Sequence, residues 1–126
     1  MKRITVISTI IFSVLLLSLT IFYFSPRISY ANAPQDVKLE YNASTQNLAV
    51  TITHNSSSSG FHYIKYVEIK KNSVILSTEK YVSQSAGTFT YNYKVPATAG
   101  DKLEVTVTCN IFGSKTATLT VSPAVK

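Results

Sequence analysis

From Val37 onward, apolar residues recur at every second position, and no helical period competes with that pattern. Val37, Leu39 and Tyr41 alternate with polar residues, as do Leu48, Val50 and Ile52. Phe89, Tyr91, Tyr93 and Val95 share one face, with Thr88, Thr90, Asn92 and Lys94 on the other. Leu103, Val105, Val107 and Cys109 alternate with Glu104, Thr106 and Thr108, and Ala117, Leu119 and Val121 mark a last strand. A period of two is the signature of a strand with one face buried. Residues 62–70 give a further long candidate strand. Lys71-Asn72-Ser73 is a polar turn, and residues 74–82 read as the return strand of a hairpin. Pro96 ends one strand, and Gly100-Asp101 is a turn. Residues 55–60 (NSSSSG) are a flexible loop. Seven short strands in about 90 residues predict an all-β, seven-stranded, immunoglobulin-like β-sandwich over residues 34–126.

The first 33 residues are of another kind. Met1-Lys2-Arg3 is positively charged, and residues 4–24 contain no charge at all. Such a stretch of about 21 residues is long for the apolar core of a signal peptide and sufficient to span a bilayer as a helix. No polar face exists with which a soluble helix could meet water. Ser29-Tyr30-Ala31 offers small residues where a signal peptidase reads, with Ala31-Asn32-Ala33 as a second candidate. A cut after Ala33 would leave Pro34 first, so Ala31 is preferred. Residues 1–33 are therefore either a signal peptide or an uncleaved N-terminal hydrophobic helix that anchors the chain to the membrane. In both cases the positive-inside rule places residues 34–126 outside the cytoplasm, secreted or membrane-anchored.

The net charge of +6 belongs partly to this leader, which holds Lys2, Arg3 and Arg27 and no acid. Beyond Ala31, nine basic and six acidic residues leave +3, an ordinary solubility charge. No basic run interleaves with aromatic residues, so no nucleic-acid partner is expected. Asn42-Ala43-Ser44 and Asn55-Ser56-Ser57 fit the glycosylation triplet, which matters only in a host that glycosylates exported proteins.

The chain has one cysteine, so an exported domain of this kind has no internal disulfide. Cys109 falls on the inward face of its strand, where it is a buried small hydrophobe, an intermolecular bridge or a metal ligand. His54 follows the inward-facing set Leu48, Val50, Ile52, and His62 opens the next strand across the Ser-rich loop. The two imidazoles with one thiol make a soft N/S donor set for iron, copper or zinc; the bland alternative is two solvent-exposed histidines at strand ends. Other chemistry is missing from the sequence. There is no GxSxG elbow, no Gly-rich phosphate loop and no carboxylate pair suited to acid–base work; Glu68 and Glu104 sit mid-strand on the polar side. Cys109 is followed by Asn110-Ile111-Phe112-Gly113-Ser114-Lys115, which lacks the His and Met of a blue-copper site.

Two blocks resemble a known family. His62-Tyr63-Ile64-Lys65-Tyr66-Val67-Glu68-Ile69 is similar to the H-Y-I-x-x-(I/V)-E stretch of superoxide reductases (desulfoferrodoxins). Gly100-Asp101, Val105 and Cys109-Asn110-Ile111-Phe112-Gly113 resemble their G-D-x-(I/L)-x-V…C-N-x-H-G ending. The resemblance covers roughly residues 48–121 and implies a seven-stranded, immunoglobulin-like sandwich. It further implies a ferrous centre with four equatorial histidines, one axial cysteine thiolate and an open position that reduces superoxide to peroxide. By position it makes His62 an equatorial ligand, Cys109 the axial thiolate and His54 a further ligand. His54 lies eight residues before His62, where the family has six, and is followed by Asn55 rather than Pro. Phe112 stands where C-N-x-H-G has its histidine, and no His occurs between Asn32 and Thr53. Phe112 is expected to fill with apolar bulk the space in which that ligand pointed inward.

Two functions follow as expectations. The first is an exported superoxide-reductase-like domain with an incomplete iron-ligand set of His54, His62 and Cys109, served by an electron donor. The second is a non-catalytic surface or assembly module, rich in Tyr (eight) and Thr, that pairs with a protein partner or with its own copies.

Overall fold

The computed structural model describes residues 32–56 and 60–123. The apolar segment, its predicted helix and the Ala31 cleavage site lie outside those residues. Seven strands and no helix occur among the described residues: β1 Asp36–Asn42, β2 Asn47–Thr53, β3 Ile64–Lys71, β4 Val74–Lys80, β5 Thr88–Lys94, β6 Lys102–Cys109 and β7 Ser114–Thr120. All pairings are antiparallel. One sheet has the order β1-β2-β5 and the other β4-β3-β6-β7. The fourth strand thus sits beside the third, whereas the constant-type immunoglobulin division puts it in the sheet of the first two.

The alternation read from the sequence builds the core. Leu48, Val50 and Ile52 are wholly buried on one sheet, and Val67, Ile69, Leu103, Val105 and Val107 are wholly buried on the other. Each such side chain contributes about 1.5–3 kcal/mol relative to exposure. The register couples Leu48 to Tyr93, Val50 to Tyr91 and Ile52 to Phe89, so aromatic and aliphatic side chains share the inner face. Tyr81 stacks on Tyr91 with ring centroids 4.2 Å apart, and its hydroxyl lies 2.8 Å from that of Tyr93. Glu68 and Glu104 both approach Lys70, at 3.1 and 3.7 Å, and the Glu68 hydrogen bond raises the Lys70 amine above its ordinary value.

Local features fix the strand ends. Asn72 and Ser73 both take positive φ (51° and 70°), the backbone of a two-residue hairpin whose twist matches its strands. The β3–β6 register slips between Ile64 and Tyr66. That bulge lets Ile64 and Val67, three residues apart, both face inward; the strand expected from residue 62 begins at Ile64. His62 therefore belongs to the loop before β3. At the other end of the sandwich, the Tyr41 hydroxyl donates to Val95 O (2.7 Å) and accepts from Ala97 N (3.2 Å), tying the β5–β6 connection to β1.

Strand polarity sorts the connections into two ends. The chain's approach to β1 and the β2–β3, β4–β5 and β6–β7 loops share one end, because Asp36 pairs with Thr53, Tyr66 with Lys80 and Thr108 with Ser114. A concavity of about 500 Å³, lined by Tyr41, Asn47 and Leu119 among others, lies at the opposite end.

Candidate metal centre

His54 is the first residue past β2, His62 lies two positions before β3, and Cys109 closes β6. Strands from both sheets therefore converge on one point. One ligand atom from each of the three side chains lies within 4.8 Å of the other two. The imidazole rings of His54 and His62 meet edge-to-face with centroids 4.5 Å apart.

His54 is buried, with 1% of its surface exposed, so it is not the solvent-exposed loop histidine of the bland alternative. A residue that the alternation did not single out holds it. Gln84, in the β4–β5 loop and itself only 5% exposed, donates through Nε2 to His54 O (2.8 Å) and Ala86 O (2.9 Å). Those two acceptors fix the amide, so its oxygen faces His54 Nδ1 at 2.7 Å. The proton is thereby assigned to Nδ1. His54 Nε2 lies 3.1 Å from the carbonyl oxygen of Asn32. As an imidazolium the ring donates to both oxygens. As a neutral ring it donates to Gln84 alone, and Nε2 presents a lone pair, the form a metal requires.

His62 supplies the complementary sign. Its Nε2 is the one buried side-chain nitrogen or oxygen among the described residues without a hydrogen-bond partner. A buried polar atom left unpaired is costly, and such groups cluster where a ligand completes them. Cys109, 4% exposed, places Sγ 3.4 Å from the Ile111 backbone nitrogen, whose N–H donates toward it. Asn110 binds the two ligand-bearing loops together. Its Nδ2 donates to Phe61 O (2.9 Å), its Oδ1 accepts from Tyr63 N (2.9 Å), and its N donates to Tyr63 O (3.0 Å). Gly113, at φ 98°, closes the turn so tightly that a Cβ there would come 2.8 Å from Ala33.

The donor set fits a transition metal: one thiolate and two imidazoles suit iron, copper or zinc, and three protein ligands leave coordination positions open. Phe112 departs from expectation. It is 56% exposed and fills no vacated ligand position. The β6–β7 loop is closed by the hydrogen bond from Cys109 N to Gly113 O (3.0 Å), and Ile111 and Phe112 are both exposed within it.

No protein-family model and no curated protein matches the chain. Among solved structures it is similar to a superoxide reductase (neelaredoxin) from Ignicoccus hospitalis, with 16% identity, a TM-score of 0.48, and coverage of 72% of this chain and 82% of that one. A superoxide reductase from Nanoarchaeum equitans aligns at 12% identity and TM-score 0.42, covering 77% and 98%. The superoxide reductase (neelaredoxin) from Archaeoglobus fulgidus in its reduced form aligns at 14% identity and TM-score 0.42, covering 71% and 89%. These likenesses are distant; the fold stands on the strand pairing, and the candidate centre on the positions of His54, His62 and Cys109.

Proposed function

We propose that residues 34–126 form an extracytoplasmic, superoxide-reductase-like domain that holds a transition metal, iron before others, through His54, His62 and Cys109. The observation that carries this reading is the unpartnered, buried Nε2 of His62 beside a thiol and a second imidazole. Iron bound there would supply one electron to superoxide, which with two protons gives hydrogen peroxide. The chain's own residues do the rest. Gln84 holds a proton at His54 Nδ1, so that Nε2 becomes the donor once the Asn32 carbonyl, 3.1 Å away, gives up its contact. The Ile111 N–H orients the Cys109 sulfur. The Asn110 hydrogen bonds keep the His62 and Cys109 loops at a fixed separation.

The test is metal content. The protein is purified without oxygen, loaded with ferrous iron, desalted and assayed for bound metal, with zinc and copper in parallel. Near-stoichiometric iron in the wild type, lost in Cys109→Ala and in His62→Ala, supports the reading. Wild-type protein that retains no metal, or variants that retain as much as wild type, overturn it.

A second reading has its own observation. β4 is an edge strand whose Val74, Ile75 and Leu76 are 64%, 56% and 44% exposed. An uncovered apolar edge is a template for strand addition, so an assembly module that pairs through β4 with its own copies is the alternative function.

A further inference from the structure

Seven large apolar side chains are strongly exposed among the described residues: Phe61, Val74, Ile75, Leu76, Val82, Ile111 and Phe112. They fall into two groups. Val74, Ile75 and Leu76 belong to the β4 edge. The other four sit on three different loops at the end of the sandwich that carries His54, His62 and Cys109. Phe61 (83% exposed) adjoins His62, and Ile111 (57%) and Phe112 (56%) follow Cys109. Val82 (73%) lies between Tyr81, whose N donates to Lys65 O, and Gln84, which holds His54. The Asn110–Phe61 hydrogen bond joins the first two loops directly. Four apolar side chains thus crown the end where the candidate ligands lie, and patches of this kind mark membrane or partner surfaces.

The chain's own path indicates what they meet. The Asn32 carbonyl is beside His54, Ala33 packs on Gly113, and Pro34 is buried. The polypeptide therefore arrives at the same end as the exposed crown. The uncharged stretch of residues 4–24 ends eight positions before Asn32. Eight extended residues reach at most about 29 Å, which is comparable to the length of the sandwich's own strands. With residues 4–24 in a bilayer, this short tether delivers the crowned end toward the lipid.

We infer that Phe61, Val82, Ile111 and Phe112 rest in the interfacial layer of the membrane that holds residues 4–24, so that the His54–His62–Cys109 end of the domain faces the lipid surface. Apolar side chains gain by leaving water for that layer, and four spread over three loops define an orientation. The ligand end would then open to species at the membrane rather than in bulk solvent. This inference rests on the anchored form of the localisation proposed above and is independent of whether a metal is bound.

The chain contains no tryptophan, so one introduced indole is a clean reporter. The full chain carrying Phe112→Trp, Val82→Trp or, as the comparison, Leu76→Trp is reconstituted into vesicles of phosphatidylcholine and phosphatidylglycerol with and without brominated acyl chains. All three positions are already exposed, so the fold is retained. The expected result is flotation with the vesicles and about threefold stronger bromolipid quenching at positions 112 and 82 than at 76. Flotation with equal quenching at all three positions overturns the inference and leaves the anchor and metal readings untouched. Shielding of position 112 from aqueous iodide that grows with the protein-to-lipid ratio also overturns it, because a second copy then covers the crown. Failure to float overturns the anchor and this inference together, while metal content in the same sample still reports on the centre.

Discussion

Gln84→Ala separates a built centre from an accidental meeting of three side chains. The substitution removes three hydrogen bonds at once: to His54 O (2.8 Å), to Ala86 O (2.9 Å) and from His54 Nδ1 (2.7 Å). A net contribution of about 0.5–1.5 kcal/mol for each, with water re-entering part of the space, gives an expected destabilisation of about 2–4 kcal/mol. The effect on metal binding is separate. With Nδ1 unanchored, the ring loses its fixed orientation and tautomer, and loss of such an outer partner lowers affinity by about 10–100-fold. Gln84→Glu sharpens the test. It keeps an acceptor for Nδ1 but turns a second oxygen toward two carbonyl oxygens, so it too should destabilise while retaining more of the metal affinity. Urea unfolding followed by tyrosine emission measures the first quantity, and competition with a chromogenic chelator measures the second. A Gln84→Ala variant within about 0.5 kcal/mol of wild type, with unchanged metal retention, would refute the assignment of Gln84 as the residue that positions His54.

Three further outcomes are expected. Tyr41→Phe removes the hydroxyl that bridges Val95 O and Ala97 N and should cost about 1–2 kcal/mol in the same urea assay. Burial, then the hydrogen bond that the Tyr93 hydroxyl makes with Tyr81, hold the Tyr93 phenol well above its ordinary value of 10.0. The fold thus binds that proton more tightly than the unfolded chain, so the associated stability is complete below pH 10 and is lost as pH rises beyond it; Tyr93→Phe should flatten the alkaline limb of a stability–pH profile. Ile75→Lys places a charge on the open β4 edge and should leave the unfolding midpoint nearly unchanged while abolishing any self-association seen by light scattering; association that persists would remove β4 as the pairing edge.

The strands were legible because the inner-facing sets Leu48–Val50–Ile52 and Leu103–Val105–Val107 alternate without interruption, and one buried face dictates that pattern. His54, His62 and Cys109 were legible as residue types at the ends of those strands. Lateral order was not. Residues 74–82 read as the return strand of a hairpin, but nothing in that reading puts β4 at a sheet edge, because periodicity along a strand carries no information about its neighbours. Gln84 sits in an irregular loop, and its only signal is burial, which needs the packed structure to be seen. The inward placement of Phe112 failed for a local reason: the alternation of β6 ends at Cys109, and Phe112 lies in the loop beyond it, where periodicity assigns no face.

The placement of the three ligands also bears on how the two sheets stay together. His54 directly follows the second strand, in one sheet, and Cys109 ends the sixth, in the other. In antibody domains a disulfide joins the strands of that same rank across the same interface. This chain has a single cysteine and cannot form that bond within itself. A metal shared by His54 and Cys109 would close a loop of about 55 residues, which in the chain-entropy account of cross-links removes about 4 kcal/mol of freedom from the unfolded ensemble. The ion would then act as a reversible clasp between the sheets, and the domain's thermal unfolding would track metal supply in the way that other sandwiches track the redox state of their cystines.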